Sequence, residues 1–263
     1  VRLEDIDFNV KAWIRTDAIG VMADYPAYKW ILHPDNSHKL GSPTYWDDLA
    51  LAVRPLIDEC TQGPKRNFIL ARIYRRQILD RLAPGLLDAS EEYRAKLAVV
   101  LPDQLPNFPV EVDPYLDPHL RARSALLRRG DWAGLLDLAR ADRGLTLFTT
   151  SVSFDWVDGQ LEMVVEGVIG DAQGVPLAVR HVGHRIVRHL PDALAEHFQE
   201  VELDLTDDLA AAHVELVVRS RRDRVDWTIP STTSEVWVGP STDSLQEVRY
   251  RVRGSIDPST AAY

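Results

Sequence analysis

The sequence has 263 residues, 45% of them hydrophobic, and a formal net charge of −10; that is chain enough for one large or two ordinary domains with a sizeable core. The acidic balance argues against non-specific nucleic-acid binding and against a polybasic membrane patch. One cysteine, Cys60, excludes an internal disulfide and a cysteine-built metal cluster.

A lone thiol fits a reduced, cytosolic setting. No apolar run approaches the roughly 18 residues that span a bilayer, and Val1-Arg2-Leu3-Glu4-Asp5 has no apolar leader segment. The chain starts with Val1 inside what reads as an amphipathic helix, so a piece of a longer or processed protein is expected. Its positive charge is mostly arginine, which reads as coding bias rather than chemistry.

Along the chain, Ile6, Val10, Trp13 and Ile14 fall at helical spacing and predict a short helix. Gly20–Ala23 and Tyr28–Leu32 read as two short strands, followed by a polar turn-forming loop, His33-Pro34-Asp35-Asn36-Ser37-His38. Residues 43–143 read as helical. Ser42-Pro43 opens a helix with the stripe Trp46, Leu49, Val53, Ile57, Cys60. Leu70, Tyr74, Ile78 and Leu82 stripe the next, and Ser90 caps a third. Pro102, Pro106, Pro109, Pro114 and Pro118 mark an extended linker, too proline-rich for regular structure. A helix from Pro118 to Gly130 and another from Asp131 to Gly144 complete a hairpin.

At Leu145 the hydrophobic period shortens to that of a strand. Asp158-Gly159 centres a hairpin turn, and Asp171–Gly174 forms a second. Strands follow over Val175–Val187, Val201–Leu205, Ala212–Val218, Arg224–Ile229, Ser234–Val238 and Glu247–Val252. Roughly seven to nine short strands with frequent turns signal a β-sandwich.

Two constellations bear on chemistry. Glu4 and Asp5 stand at a helix start, where carboxylates complement the dipole and cap free N–H groups. A carboxylate fixed there is also suited to act as a general base, since it stays ionised and oriented. The second is Tyr25-Pro26-Ala27-Tyr28 with the His33–Ser37 loop. Its aromatics are read either as core or as part of a site.

In this order and at this separation the residues resemble the end of the catalytic domain of family 2, GT-A inverting glycosyltransferases. There an acidic Glu-Asp pair precedes a helix, then a Tyr-Pro-x-Tyr strand and a polar loop. The helical stretch and trailing sandwich are similar to wall-teichoic-acid (polyribitol-phosphate) sugar transferases and their actinobacterial relatives. The resemblance implies an α+β architecture: a GT-A catalytic-domain end over 1–85, a helical linker over 86–144, and an antiparallel immunoglobulin-like β-sandwich over 145–263. It implies Asp5 as catalytic base, Glu4 orienting the site, His33, Asn36 and Ser37 as substrate-binding residues, and His33 as a contact to diphosphate or metal. It further implies a nucleotide-sugar donor, a glycan or polyol-phosphate acceptor, and a divalent metal, Mg or Mn. The sandwich would serve a homo-oligomer or engage the polymer. The expected location is cytoplasmic, with peripheral attachment at the inner membrane face left open.

The family's nucleotide-binding half and its Asp-x-Asp metal site have no counterpart here. Asp47-Asp48 and Asp207-Asp208 are adjacent pairs, and no Gly-x-Gly-x-x-Gly or P-loop is present. The sequence is therefore expected to hold a base without the donor-binding core, and to be inactive alone.

Other clusters read more plainly. His181, His184 and His189 are exposed strand histidines before they are a zinc site. Arg219–Arg224 is a solvated hairpin tip, or else a contact to an anionic polymer. Trp227 and Trp237 are core residues, or a sugar-stacking platform. No Gly-x-Ser-x-Gly elbow accompanies Ser151 or Ser153, which excludes a hydrolase triad of that kind. The rival to a transferase is a non-catalytic carbohydrate-binding or oligomerisation module.

Overall fold

The computed structural model describes residues 4–16, 45–171, 173–219, 226–229, 231–240 and 245–257. These fall into two units. The first spans residues 1–81, 89–116 and 127–130; the second spans 82–88, 117–126 and 131–263. Among the described residues no helix is long and apolar enough to cross a membrane.

The first unit is helical. α1 (Glu4–Arg15) packs on α2 (Tyr45–Asp58) through the wholly buried Val10. α2 buries Tyr45, Trp46, Leu49, Ala52, Val53 and Leu56, the three-and-four spacing of one helix face. Pro55 removes one helical hydrogen bond, and α2 ends a turn later. Gly63 and Pro64 start α3 (Pro64–Gln77), with proline where its missing N–H costs nothing. Its Leu70 and Tyr74, followed by Ile78, are fully buried, as the predicted stripe requires. Burying each such side chain contributes roughly 1.5–3 kcal/mol. Ser90 Oγ accepts from Tyr93 N at 3.2 Å and starts α4 (Glu91–Gln104).

The proline-rich stretch is not the extended linker expected from composition. α4 runs through Pro102, and two 3-10 turns follow, Leu105–Asn107 and Val110–Tyr115. Proline's fixed φ suits a 3-10 turn as well as an extended chain. Phe108, Val112 and Leu116 decide the outcome, because all three are buried against the helices.

The second unit opens with the 3-10 turn Pro84–Asp88 against α6 (Trp132–Asp142), with α5 (Pro118–Arg128) supplying Leu120 and Leu126 to the core. Gly130 (φ 68°) and Gly144 (φ 84°) sit beyond α5 and α6 in the left-handed conformation that ends helices. Asp131 caps α6, its Oδ1 accepting from Gly134 N at 2.9 Å.

β1 (Thr146–Val157) and β2 (Gln160–Gly170) form the predicted hairpin, with Asp158 (φ 49°) and Gly159 (φ 79°) both in the left-handed region a type I′ turn demands. β3 (Ala178–Val182) and β4 (Arg185–Arg188) form a second hairpin. After α7 (Asp192–Ala195) and α8 (Thr206–Ala211) come β5 (Leu216–Arg219), β6 (Asp226–Ile229), β7 (Ser231–Pro240) and β8 (Gln246–Ile256). The large sheet is antiparallel in the order β1-β2-β8-β3-β4, with β7 also paired to β8; β5 and β6 make a separate ladder. Val214, Leu216, Ile229, Tyr250 and Val252 form the core between the ladders, with Met163, Val165 and Val236 against it. The architecture is thus α+β with a lopsided two-layer antiparallel body.

Val201–Leu205 is not a strand. Glu200–Leu203 is a 3-10 turn closed by a capping box, in which Gln199 N donates to Glu202 Oε2 at 3.0 Å. The alternation Val-Glu-Leu-Asp-Leu imitates a strand, but the capping pair sets the turn. β5 likewise starts at Leu216, later than Ala212, because Val214 N is taken by Ser234 Oγ at 2.8 Å.

Candidate functional site

Glu4 and Asp5 open α1, as the sequence predicts, but their side chains lie outside what is described. His33, Asn36 and Ser37 also lie outside the described residues, as do Tyr25–Tyr28 and residues 220–224 of the arginine cluster. The structure therefore neither brings the predicted site residues together nor separates them.

It does describe both ends of the segment that carries the loop. Where α1 ends, Lys65 Nζ donates to Thr16 O at 2.9 Å. Where the chain resumes, Tyr45 OH donates to Gln77 Oε1 and accepts from Arg81 Nη2 at 2.7 Å. Arg81 also lies over the rings of Tyr45 and Trp46, at 5.1 and 5.4 Å from their centroids. Burial pushes the Tyr45 phenol above its ordinary value, and the Arg81 charge opposes this. Tyr45 is thus a neutral donor at physiological pH. α3 and the turn after it hold both ends of the segment.

Among the described residues no three His, Cys, Asp or Glu side chains gather as a metal site. His181 in β3 and His184 in the turn that follows it are exposed.

Among the described residues of the second unit, two cavities stand out. One, of 320 Å³, is bordered by Arg180, Arg188, His189, Phe198, Glu200 and Leu203. Its cations are already committed: Arg180 pairs with Glu200 at 2.9 Å, and Arg188 with Asp142 at 2.6 Å. The other, of 340 Å³, is a groove on the sheet lined by Thr150, Glu166, Val168, Trp237, Glu247 and Arg249, among others. Cross-strand pairing puts Trp237 beside Arg249, and Arg249 beside Val168. Arg249 Nε donates to Glu247 Oε1 at 2.7 Å, and Arg251 Nε to Glu166 Oε1 at 2.5 Å. Arg251 lies 5.8 Å from the Trp237 ring centroid. Trp237 is half-buried, between the two readings its sequence allowed; the Trp227 side chain is not described. The alternation Arg249-Tyr250-Arg251-Val252-Arg253 signals a charged outer face, but strand order alone puts Trp237 on it.

Comparison with known proteins places the helical part. Residues 43–139 match the family model for the glycosyl transferase TarS linker domain. No curated protein sequence matches the chain. Among solved structures, the crystal structure of S. aureus TarS is similar with 18% identity and a TM-score of 0.43, over 99% of this chain and 42% of that one. A crystal structure of S. aureus TarS 217-571 is similar with 17% identity and a TM-score of 0.33, over 83% and 57% respectively. This chain spans less than two thirds of the length of either. Residues 43–139 are therefore similar to the glycosyl transferase TarS linker domain.

Proposed function

We propose that this chain is the acceptor-side and trailing region of an inverting, GT-A-type hexosyltransferase. The enzyme would move a sugar from a nucleotide-sugar donor to a hydroxyl of a cell-surface polymer or glycan precursor. The match of residues 43–139 to the TarS linker domain carries this reading. In it, Asp5 at the start of α1 takes the proton of the acceptor hydroxyl as that oxygen attacks the sugar and the nucleotide diphosphate leaves. Glu4 orients the site, and His33, Asn36 and Ser37 contact the substrates. A divalent metal held mainly outside this sequence supplies charge neutralisation for the leaving group when bound. The enzyme acts at the cytoplasmic side.

The test is Asp5→Asn in the complete enzyme. Turnover should fall by orders of magnitude with donor affinity nearly unchanged, because a base acts in the transition state and not in donor binding. Equal loss of donor affinity and turnover would refute the base assignment.

A second role is supported by β1. Among the described residues it is an edge strand, and Val152, Phe154 and Trp156 on it are 46%, 61% and 64% exposed. Their cross-strand partners are Val165, Met163 and Leu161, so they extend the core-facing side of the sheet into solvent. A long apolar edge of this kind is a ready template for association. In this reading the sheet joins copies of the enzyme into a homo-oligomer.

A further inference from the structure

We propose that the groove over Trp237 on the outer face of the sheet is a binding site for an uncharged saccharide unit. This rests on the groove itself and not on the catalytic reading of Asp5.

Three features point to that ligand class. The first is an aromatic floor. Trp237 is half-buried, with Arg249 on one flank and Arg251 near its ring. An indole offers a large, rigid apolar surface at small entropic cost, suited to the C–H face of a pyranose. The second is charge balance. Arg249 is matched by Glu247, and Arg251 by Glu166. A polyphosphate would have to compete with these carboxylates for each guanidinium, whereas sugar hydroxyls can donate to the carboxylates and accept from the guanidiniums without breaking either pair. The third is size. A cavity of 340 Å³ lies at the low end of ligand clefts, which run roughly 300–1,000 Å³; it suits one or two sugar rings better than a nucleotide sugar.

Gly239 keeps one wall in place. A Cβ there would come within 2.6 Å of Arg249 Cδ, so the glycine lets the arginine stem lie across β7 beside Trp237. Gly239→Ala displaces Arg249 while leaving the indole untouched.

The experiment is calorimetric titration of the full chain with maltotriose, cellotriose and chitotriose, and separately with inorganic polyphosphate. The expected result is saturable one-to-one binding of at least one trisaccharide. Trp237→Ala should weaken it about tenfold, the scale of one lost aromatic contact, and Trp237→Tyr should retain it. Gly239→Ala should weaken it too, so the proposal stays testable if Trp237→Ala fails to fold. Three outcomes overturn it: no binding of any trisaccharide, affinity unchanged by both Trp237→Ala and Gly239→Ala, or binding of polyphosphate alone.

Discussion

Arg128 grips Asp113 with two parallel hydrogen bonds, Nε to Oδ2 and Nη2 to Oδ1, both 2.8 Å. The same guanidinium donates to Phe108 O at 2.9 Å and lies 5.5 Å from the centroid of the Tyr74 ring. Tyr74 in turn stacks on Phe108, with centroids 4.9 Å apart. One side chain thus pins the proline-rich turns to α3. Lysine cannot make the bidentate contact. Arg128→Lys should cost about 1–3 kcal/mol in urea unfolding, the worth of hydrogen bonds to a charged group. An unchanged midpoint would mean that the apolar contacts of Phe108 and Val112 suffice alone.

Asp142 at the end of α6 receives Arg123 of α5 at 3.0 Å and Arg188 of β4 at 2.6 Å. All three side chains are at most 10% exposed. Among the described residues the Nε atoms of both arginines are buried without a hydrogen-bond partner, so Asp142 is the main compensation for two buried cations. Asp142→Ala should destabilise by about 3–5 kcal/mol, because it leaves charges stranded instead of merely losing a contact. Chemical denaturation checks this, and a loss below about 1 kcal/mol would show that water reaches the arginines.

Gly167 has no room for a side chain. Its added Cβ would lie 1.9 Å from Phe148 O and 2.6 Å from the Tyr250 ring, which crosses the glycine from the paired strand. Gly167→Ala must spread β1 from β2 or eject Tyr250 from the core. A loss of about 1–3 kcal/mol is expected, typical of overpacking. The signature would be faster amide exchange in β1 and β2, with the first unit unaffected.

Asp208 in α8 sits where burial raises its carboxyl above the ordinary value; Arg121 opposes this, while Asp117 and Asp207 add to it. Among the described residues its Oδ2 is buried without a hydrogen-bond partner. A carboxyl whose folded value is raised binds its proton more readily in the native state than in the unfolded chain. Its contribution is therefore best in acid and is lost as pH rises from the ordinary carboxylate value through the raised one. Asp208→Asn should raise Tm at neutral pH, and the gain should vanish near about pH 3, where both states are protonated. A gain independent of pH would contradict the assignment.

Self-association through β1 predicts that Phe154→Lys with Trp156→Lys yields a monomer with an unchanged far-ultraviolet spectrum. Light scattering on the full chain measures this. A wild-type chain that is monomeric at all accessible concentrations would remove the assembly role.

Much of the fold was legible because its signals are local. Ser90 and Asp131 are caps, Gly130 and Gly144 are helix stops, and Asp158-Gly159 is a type I′ turn, each fixed by a few neighbouring atoms. The glycosyltransferase resemblance, drawn partly from the layout of the helical stretch, agrees with the TarS linker match over 43–139. What was misread depends on distant partners. The prolines of 102–118 look like a linker until Phe108, Val112 and Arg128 are seen to hold them. Val201–Leu205 looks like a strand until Glu202 closes its capping box. The groove was hidden because Glu166, Trp237 and Arg249 come from three strands whose adjacency no local pattern encodes. The proposed catalytic residues Glu4, Asp5, His33, Asn36 and Ser37 rest on their sequence pattern alone.

If this chain serves a sugar-transferring enzyme, the native full-length protein must itself move a sugar. The most direct measurement is transfer of labelled sugar, from a panel of nucleotide-sugar donors to poly(ribitol phosphate) and to glycan acceptors, by the native full-length protein. Transfer from at least one donor is expected, dependent on Mg or Mn and abolished by Asp5→Asn. A folded full-length protein that transfers from none of the donors, or an Asp5→Asn variant with full activity, would contradict it.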